Sequence, residues 1–175
     1  MTLDGVVEAP ENWSPRYLDA AAFAFQTEQL MSADALVLGR GTYEHLAAAW
    51  SGRGSGDPFG ERINAMPKYM VSRRHPRLSW NNTRLLGGEA AVTVAGLKRA
   101  GRDSLLSFGG GELTRTLIEH DLVDELCLCL YPLLVGAGRR LAAPHRRLKD
   151  FACVDAQQLD RGVLVLRYHL SHDGR

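Results

Sequence analysis

The feature that most constrains this chain is a short apolar run that ends at a glycine and leads into a helical pattern. Residues 35–38 predict a buried strand, Gly39 ends the run, and a helical pattern continues to Trp50. The first backbone N–H groups of a helix lack partners and favour negative charge. The guanidinium of Arg40 also matches a phosphate group. The pattern predicts a phosphate site, although a solvated Arg40 beside a simple glycine turn stays open at this point.

Composition narrows the class of protein. The chain has 175 residues, 45% of them hydrophobic, and we expect a single domain over residues 1–175. A net charge of +1 gives no field for nucleic acid or an anionic membrane, although a local basic patch stays possible. No apolar run approaches the roughly 20 residues of a membrane span, and no signal-peptide pattern is visible. Cys127 and Cys129 share one face of a predicted strand as buried reduced thiols, which indicates a cytoplasmic protein.

Strands and helices alternate along the first two thirds of the chain. Strands are predicted at residues 35–38, 68–72, 83–86, 104–108 and 126–135, and helices at residues 15–31, 42–50, 59–65, 89–100 and 112–120. Strands at residues 149–157 and 162–170 follow as a hairpin. The order predicts an α/β fold with a mostly parallel mixed sheet, helices on both faces and a C-terminal antiparallel hairpin. The apolar character of residues 126–135 predicts a strand buried on both faces.

Three of the predicted strands end in residues that suit phosphate groups. Residues 39–42 follow the first, Ser72 and Arg73 follow the second, and residues 109–111, all glycine, follow the third. In an open α/β sheet, ligands bind outside the carboxyl ends of the strands. Glycine lets the backbone approach a pyrophosphate, and a hydroxyl beside guanidinium groups suits the 2′-phosphate of NADP. The three ends together predict a phosphorylated dinucleotide. The histidines are scattered without ligand spacing, so no metal site is predicted.

Several blocks of sequence occur in the same order in one known superfamily. They are LDGVVE at residues 3–8, DALVLGRGTYE at 34–44, NAMPKY at 64–69, VSR at 71–73, GGGEL at 109–113, LVDEL at 122–126 and PLLVGAG at 132–138. The chain thereby resembles the dihydrofolate reductase superfamily. It is most similar to stand-alone proteins like the C-terminal reductase domain of the bifunctional riboflavin-biosynthesis deaminase/reductase. The Gly-Arg-x-Thr-Tyr-Glu block is the most specific.

The resemblance implies a three-layer dihydrofolate-reductase-like fold that binds NADPH and forms a homodimer through the late strands. It implies hydride transfer to a pyrimidine- or pterin-like ring, as in 5-amino-6-(5-phosphoribosylamino)uracil reductase. Asp4 and Gly5 would lie beside the nicotinamide and substrate, and Trp13 is a candidate for the substrate cleft or for core packing. The implied cofactor residues are Gly39, Arg40 and Thr42 at the phosphates, Ser72 and Arg73 at the adenosine ribose phosphate, and Gly109, Gly110, Gly111, Glu112 and Leu113 at the pyrophosphate.

The chain departs from the family pattern in two respects. Only Met1 and Thr2 precede the turn at residue 3, where the family has a complete strand. We expect that the native start lies upstream, and the alternative is a gap in the sheet that something else fills. No proton donor is evident, because Asp4 and Asp19 are only weak candidates and a solvated surface carboxylate is the alternative for Asp19. A non-catalytic nucleotide-binding or dimeric scaffold protein of the same fold is therefore the second hypothesis.

Overall fold

The structure, a computed structural model, describes residues 1–53, 56–101, 104–141 and 148–171. Its contacts divide the chain into two compact units. The first unit comprises Met1–Phe23 together with Leu117–Arg175, and the second comprises Ala24–Thr116. Within the described ranges, no helix combines the length and the apolar character that crossing a membrane requires.

The second unit contains a parallel four-stranded sheet. Its strands are β1 (Ala35–Gly39), β2 (Lys68–Val71), β3 (Thr83–Leu86) and β4 (Leu105–Leu106). The order is β3-β2-β1-β4, so β1 pairs on both sides. The first four residues of β1 are buried, as its apolar run predicts.

Helices alternate with these strands. They are α1 (Ala20–Met31), α2 (Arg40–Trp50), α3 (Pro58–Ala65), α4 (Ala90–Arg99) and α5 (Glu112–Glu119). Asp57 caps α3, because its carboxylate accepts hydrogen bonds from the backbone N–H groups of Phe59 and Gly60. One hydrophobic core packs Leu36, Leu38 and Met70 of the sheet against buried side chains of α2 and α3.

The first unit contains an antiparallel three-stranded sheet. Its strands are β5 (Glu125–Leu130), β6 (Phe151–Gln158) and β7 (Leu164–Leu170), in the order β5-β7-β6. The turn between β6 and β7 carries Arg161 at a φ of 57°. Thr2 forms a single parallel bridge with Tyr131, where the resemblance implies a whole strand.

The predicted α/β class and C-terminal antiparallel hairpin are confirmed, with differences in detail. The described strands form two hydrogen-bonded sheets where we predicted one mixed sheet, since none of β5, β6 and β7 pairs with a strand of the parallel sheet. The predicted helix at residues 15–31 begins instead at Ala20, after a 3-10 turn at Pro15–Tyr17. Asp19 caps it by accepting from the N–H of Ala22 at 2.9 Å.

The prediction that residues 126–135 form a strand buried on both faces is wrong. The strand ends at Leu130, before Pro132, and most of its residues are half-buried. The reason is its place in the sheet, because β5 is an outer strand. Cys127 and Cys129 are accordingly half-buried rather than buried, and both are free thiols. Burial still raises the pKa of Cys127 to about 11. The single domain over residues 1–175 stays a prediction.

Candidate nucleotide-binding site

The carboxyl ends of β1, β2 and β4 lie along one edge of the parallel sheet. Parallel strands end on the same side, and β1 stands between β2 and β4. The residues that follow these strands therefore gather at that edge. We call residues 39–42, 72–73 and 109–113 the phosphate rim.

Glycines set the spacing inside the phosphate rim. Gly109 has a φ of +91°, and a Cβ there would lie 3.1 Å from Oγ1 of Thr42. A Cβ on Gly39 would lie 3.4 Å from Cβ of Leu113. The glycine loop before α5 is therefore packed directly against the first turn of α2. No atom of the described residues lies within 4 Å of the position that a Cβ at Gly111 would take, so open space remains there.

Two guanidinium groups belong to the phosphate rim, and each faces a carboxylate. An Nη of Arg40 lies 3.1 Å from a carboxylate oxygen of Glu44, one helical turn away. An Nη of Arg73 lies 3.7 Å from a carboxylate oxygen of Glu112, the first residue of α5. The second pair links the end of β2 to the helix after β4. The structure thus brings the predicted cofactor residues together at one edge of the second unit.

Tyr43 takes part in this arrangement although the sequence reasoning assigned it no role. Its ring is buried, and its hydroxyl accepts hydrogen bonds from the backbone N–H groups of Trp80 at 3.0 Å and Ser79 at 3.2 Å. These bonds hold the segment between β2 and β3, which carries Ser72 and Arg73 at its start. The sequence did contain a signal for this residue, because Tyr43 belongs to the Gly-Arg-x-Thr-Tyr-Glu block, the most specific of the shared blocks.

Asp4, in the first unit, holds a loop. Its carboxylate accepts hydrogen bonds from the Thr2 hydroxyl at 2.6 Å and from the N–H groups of Gly136 and Val135 at 2.8 and 3.2 Å. The Thr2 hydrogen bond leads the causes that lower the pKa of Asp4 to about 2, and the loop N–H groups add to it. Gly5 follows at a φ of +79°, which allows the turn. An ionised carboxylate with occupied lone pairs is a poor proton donor.

Trp13 and Asp19 also have structural partners. Trp13 is buried, its indole N–H donates to the carbonyl of Glu8 at 3.0 Å, and its ring meets the Tyr131 ring edge-on. Asp19 caps α1, and its second carboxylate oxygen lies 3.6 Å from Nε of Arg161. Within the described ranges, His, Cys, Asp and Glu side chains form no group of three that could hold a metal ion.

Comparison with known proteins decides the family. The family model of the RibD C-terminal domain matches residues 1–165. The chain belongs to this family. A curated relative, the uncharacterized protein YyaP of Bacillus subtilis (strain 168), is 24% identical over 174 residues, which covers 97% of this chain and 90% of YyaP.

Two solved structures share the fold. A putative riboflavin biosynthesis protein from Shewanella sp. PV-4 superposes with a TM-score of 0.73 at 19% identity, over 98% of this chain and 95% of that one. A diaminohydroxyphosphoribosylaminopyrimidine deaminase/5-amino-6-(5-phosphoribosylamino)uracil reductase from Thermotoga maritima superposes with a TM-score of 0.66 at 15% identity. The latter match covers 97% of this chain and 54% of the other. The RibD C-terminal domain family thus confirms the resemblance, and it supports a reductase-like role in the riboflavin pathway.

Proposed function

We propose that the protein is an NADPH-dependent reductase that transfers a hydride to a pyrimidine- or pterin-like substrate. The observation that carries the proposal is the phosphate rim, where three strand ends gather two guanidinium groups and a glycine loop at the start of a helix. Such a site suits a ligand with several phosphate groups, because helix N-termini and guanidinium groups both stabilise phosphate charge.

Each part of the rim has a task in this proposal. Backbone N–H groups at the starts of α2 and α5 hold the pyrophosphate, and Arg40 adds charge beside them. Ser72 and Arg73 hold the 2′-phosphate that distinguishes NADPH from NADH. The open space at Gly111 fits a group that approaches the backbone closely. When bound, NADPH supplies the hydride, and the protein supplies orientation.

The substrate class rests on the family and on the Thermotoga maritima protein, whose name includes 5-amino-6-(5-phosphoribosylamino)uracil reductase. We carry this substrate class to the present chain as part of the proposal. Asp4, Gly5 and Trp13 are the proposed substrate-side residues. Because Asp4 is ionised and holds the loop at residues 135–136, its proposed task is to shape this region rather than to donate a proton.

Titration of the protein with NADPH and NADH tests the cofactor. Arg73→Ala should weaken NADPH binding about tenfold or more, because a charge-assisted hydrogen bond is lost, and should leave NADH binding nearly unchanged. Arg77→Ala is the matched control, since Arg77 is an exposed arginine of the same segment. If the wild type binds neither nucleotide at millimolar concentration, the proposal fails. Turnover of a ribosylated aminopyrimidine compared with dihydrofolate then identifies the substrate.

One observation favours a second candidate, a non-catalytic nucleotide-binding or dimeric scaffold protein. Both candidate proton donors are engaged elsewhere, Asp4 in the loop and Asp19 at the cap of α1. The scaffold predicts NADPH binding without turnover of either substrate class. A single-turnover measurement of NADPH oxidation at 340 nm would distinguish the two candidates.

A further inference from the structure

The two guanidinium groups of the phosphate rim are already matched with negative charge. Arg40 faces Glu44, and Arg73 faces Glu112. The second pair is the more informative, because its carboxylate is contributed by the helix that the proposed pyrophosphate would approach. Glu112 was assigned to the cofactor-binding set by resemblance alone, yet it carries the same sign of charge as the ligand.

We propose that Glu112 is an internal anion that competes with the phosphomonoester of the ligand for Arg73, and so lowers the affinity of the rim for NADPH but not for NADH. The inference rests on the proposed function and names a specificity determinant within its site. In the ligand-free protein, Glu112 partly neutralises Arg73. A ligand binds the guanidinium group of Arg73 only if its own negative charge displaces the carboxylate of Glu112.

The position of Glu112 makes it a suitable competitor. As the first residue of α5, its carboxylate is favoured by the unpaired N–H groups and the dipole at the helix start. The same features would favour a phosphate there. Glu112 therefore occupies, with one negative charge, an environment that also suits the ligand.

The exposure of the pair makes the competition reversible. The side chains of Arg73 and Glu112 are 81% and 80% exposed, and their charged atoms are 3.7 Å apart. Exposed ion pairs of this kind are weak, so an incoming anion can separate them without disturbing the fold.

Charge decides which anion succeeds. A phosphomonoester carries about −1.5 to −2 at neutral pH and offers three acceptor oxygens. It therefore outcompetes a carboxylate for a guanidinium fork, whereas the neutral 2′-hydroxyl of NADH does not. Glu112 thereby reduces the difference in affinity between NADPH and NADH, because NADPH must displace the carboxylate from Arg73 and NADH does not.

The experiment is a double-mutant cycle on Glu112→Gln and Arg73→Ala, with NADPH and NADH titrated by fluorescence. Glu112→Gln should tighten NADPH binding about two- to fivefold, the effect of removing one exposed charge pair. NADH binding should stay unchanged, and the gain should disappear in the Arg73→Ala background. Glu119→Gln is the matched control, because it removes the same charge from the last residue of the same helix.

Two results would overturn the inference. Weaker NADPH binding by Glu112→Gln would show that the carboxylate holds the ligand, for example through a ribose hydroxyl. An equal gain in the Arg73→Ala background would show that Glu112 acts through general charge rather than through Arg73.

Inorganic phosphate separates this inference from the proposed function. If the wild type binds neither NADPH nor NADH, the proposed function fails, and a titration with inorganic phosphate followed by NMR of Ser72 and Arg73 decides the inference alone. Tighter phosphate binding by Glu112→Gln that requires Arg73 would support it. Equal binding by the wild type and Glu112→Gln would refute it.

Discussion

Lys68 is a buried lysine at the amino end of β2, the opposite end of that strand from the phosphate rim. It is 1% exposed, and its Nζ donates hydrogen bonds to the carbonyls of Met66, Asn64 and Asn81 at 2.9, 3.0 and 3.3 Å. Nζ also lies 4.6 Å from the centre of the Trp80 ring. Burial lowers the pKa of Lys68 from 10.5 to about 8.

This pKa gives the stability of the protein a pH dependence with a definite sign. Between pH 8 and 10.5 the unfolded chain keeps the Lys68 proton, whereas the folded chain loses it. The contribution of Lys68 to the free energy of unfolding therefore rises with pH over that interval. At about 1.4 kcal/mol for each pH unit, the contribution of Lys68 is roughly 3 kcal/mol. Lys68→Met removes this contribution, because methionine does not titrate.

Urea unfolding at pH 7.5 to 10.5 measures the effect. We expect the free energy of unfolding of the wild type, minus that of Lys68→Met, to rise by roughly 3 kcal/mol across the interval. Lys98→Met is the control, since it removes a lysine from the last turn of α4, outside the cluster around Trp80. A difference that stays constant with pH would refute the reasoning.

Three further predictions follow from particular contacts. Asp4→Asn should lower the melting temperature at pH 7. The difference from the wild type should shrink as the pH falls from 3.8 towards about 2, because over that interval the unfolded chain binds a proton at Asp4 that the native carboxylate does not; calorimetry in a pH series measures this. Gly111→Ala should keep the melting temperature, since its Cβ would enter open space, but it should weaken NADPH binding several-fold, about 1 kcal/mol or more. Gly109→Ala should lower both the melting temperature and the affinity for NADPH, because the φ of Gly109 is +91°. The homodimer stays a prediction, and Val154→Asp on the exposed strand β6 should shift sedimentation towards a monomer if that strand forms the interface.

Local sequence signals were sufficient for the elements around the rim. The run of apolar residues in β1, the glycine after it and the helical pattern of α2 are all short-range features, and the structure contains each of them. The cap of α1 shows where such signals mislead. Ser14 and Pro15 have the pattern of a helix start, but Asp19 provides the capping carboxylate and Pro15 begins only a 3-10 turn.

Properties that depend on tertiary order could not be read in the same way. The apolar pattern of β5 is typical of a central strand, and only its outer place in the sheet explains why it is half-buried. The contact between Arg73 and Glu112 likewise depends on the order β2-β1-β4, which no local pattern contains. Sequence reasoning could place each charge at a strand end or a helix start, but it could not predict that the two would neutralise each other.

The geometry of one helical turn explains why the Gly-Arg-x-Thr-Tyr-Glu block is so specific. Successive residues of an α-helix are rotated by about 100°, so neighbouring side chains in the first turn of α2 point in different directions. Arg40 faces solvent beside Glu44, Thr42 lies against Gly109, and Tyr43 reaches inward to hold the segment that carries Arg73. One turn therefore fixes the charge, the glycine loop and the second guanidinium group of the rim. A substitution of Arg40, Thr42 or Tyr43 therefore affects a different part of the same site. A glycine turn that only reverses the chain would not require particular residues at these three positions.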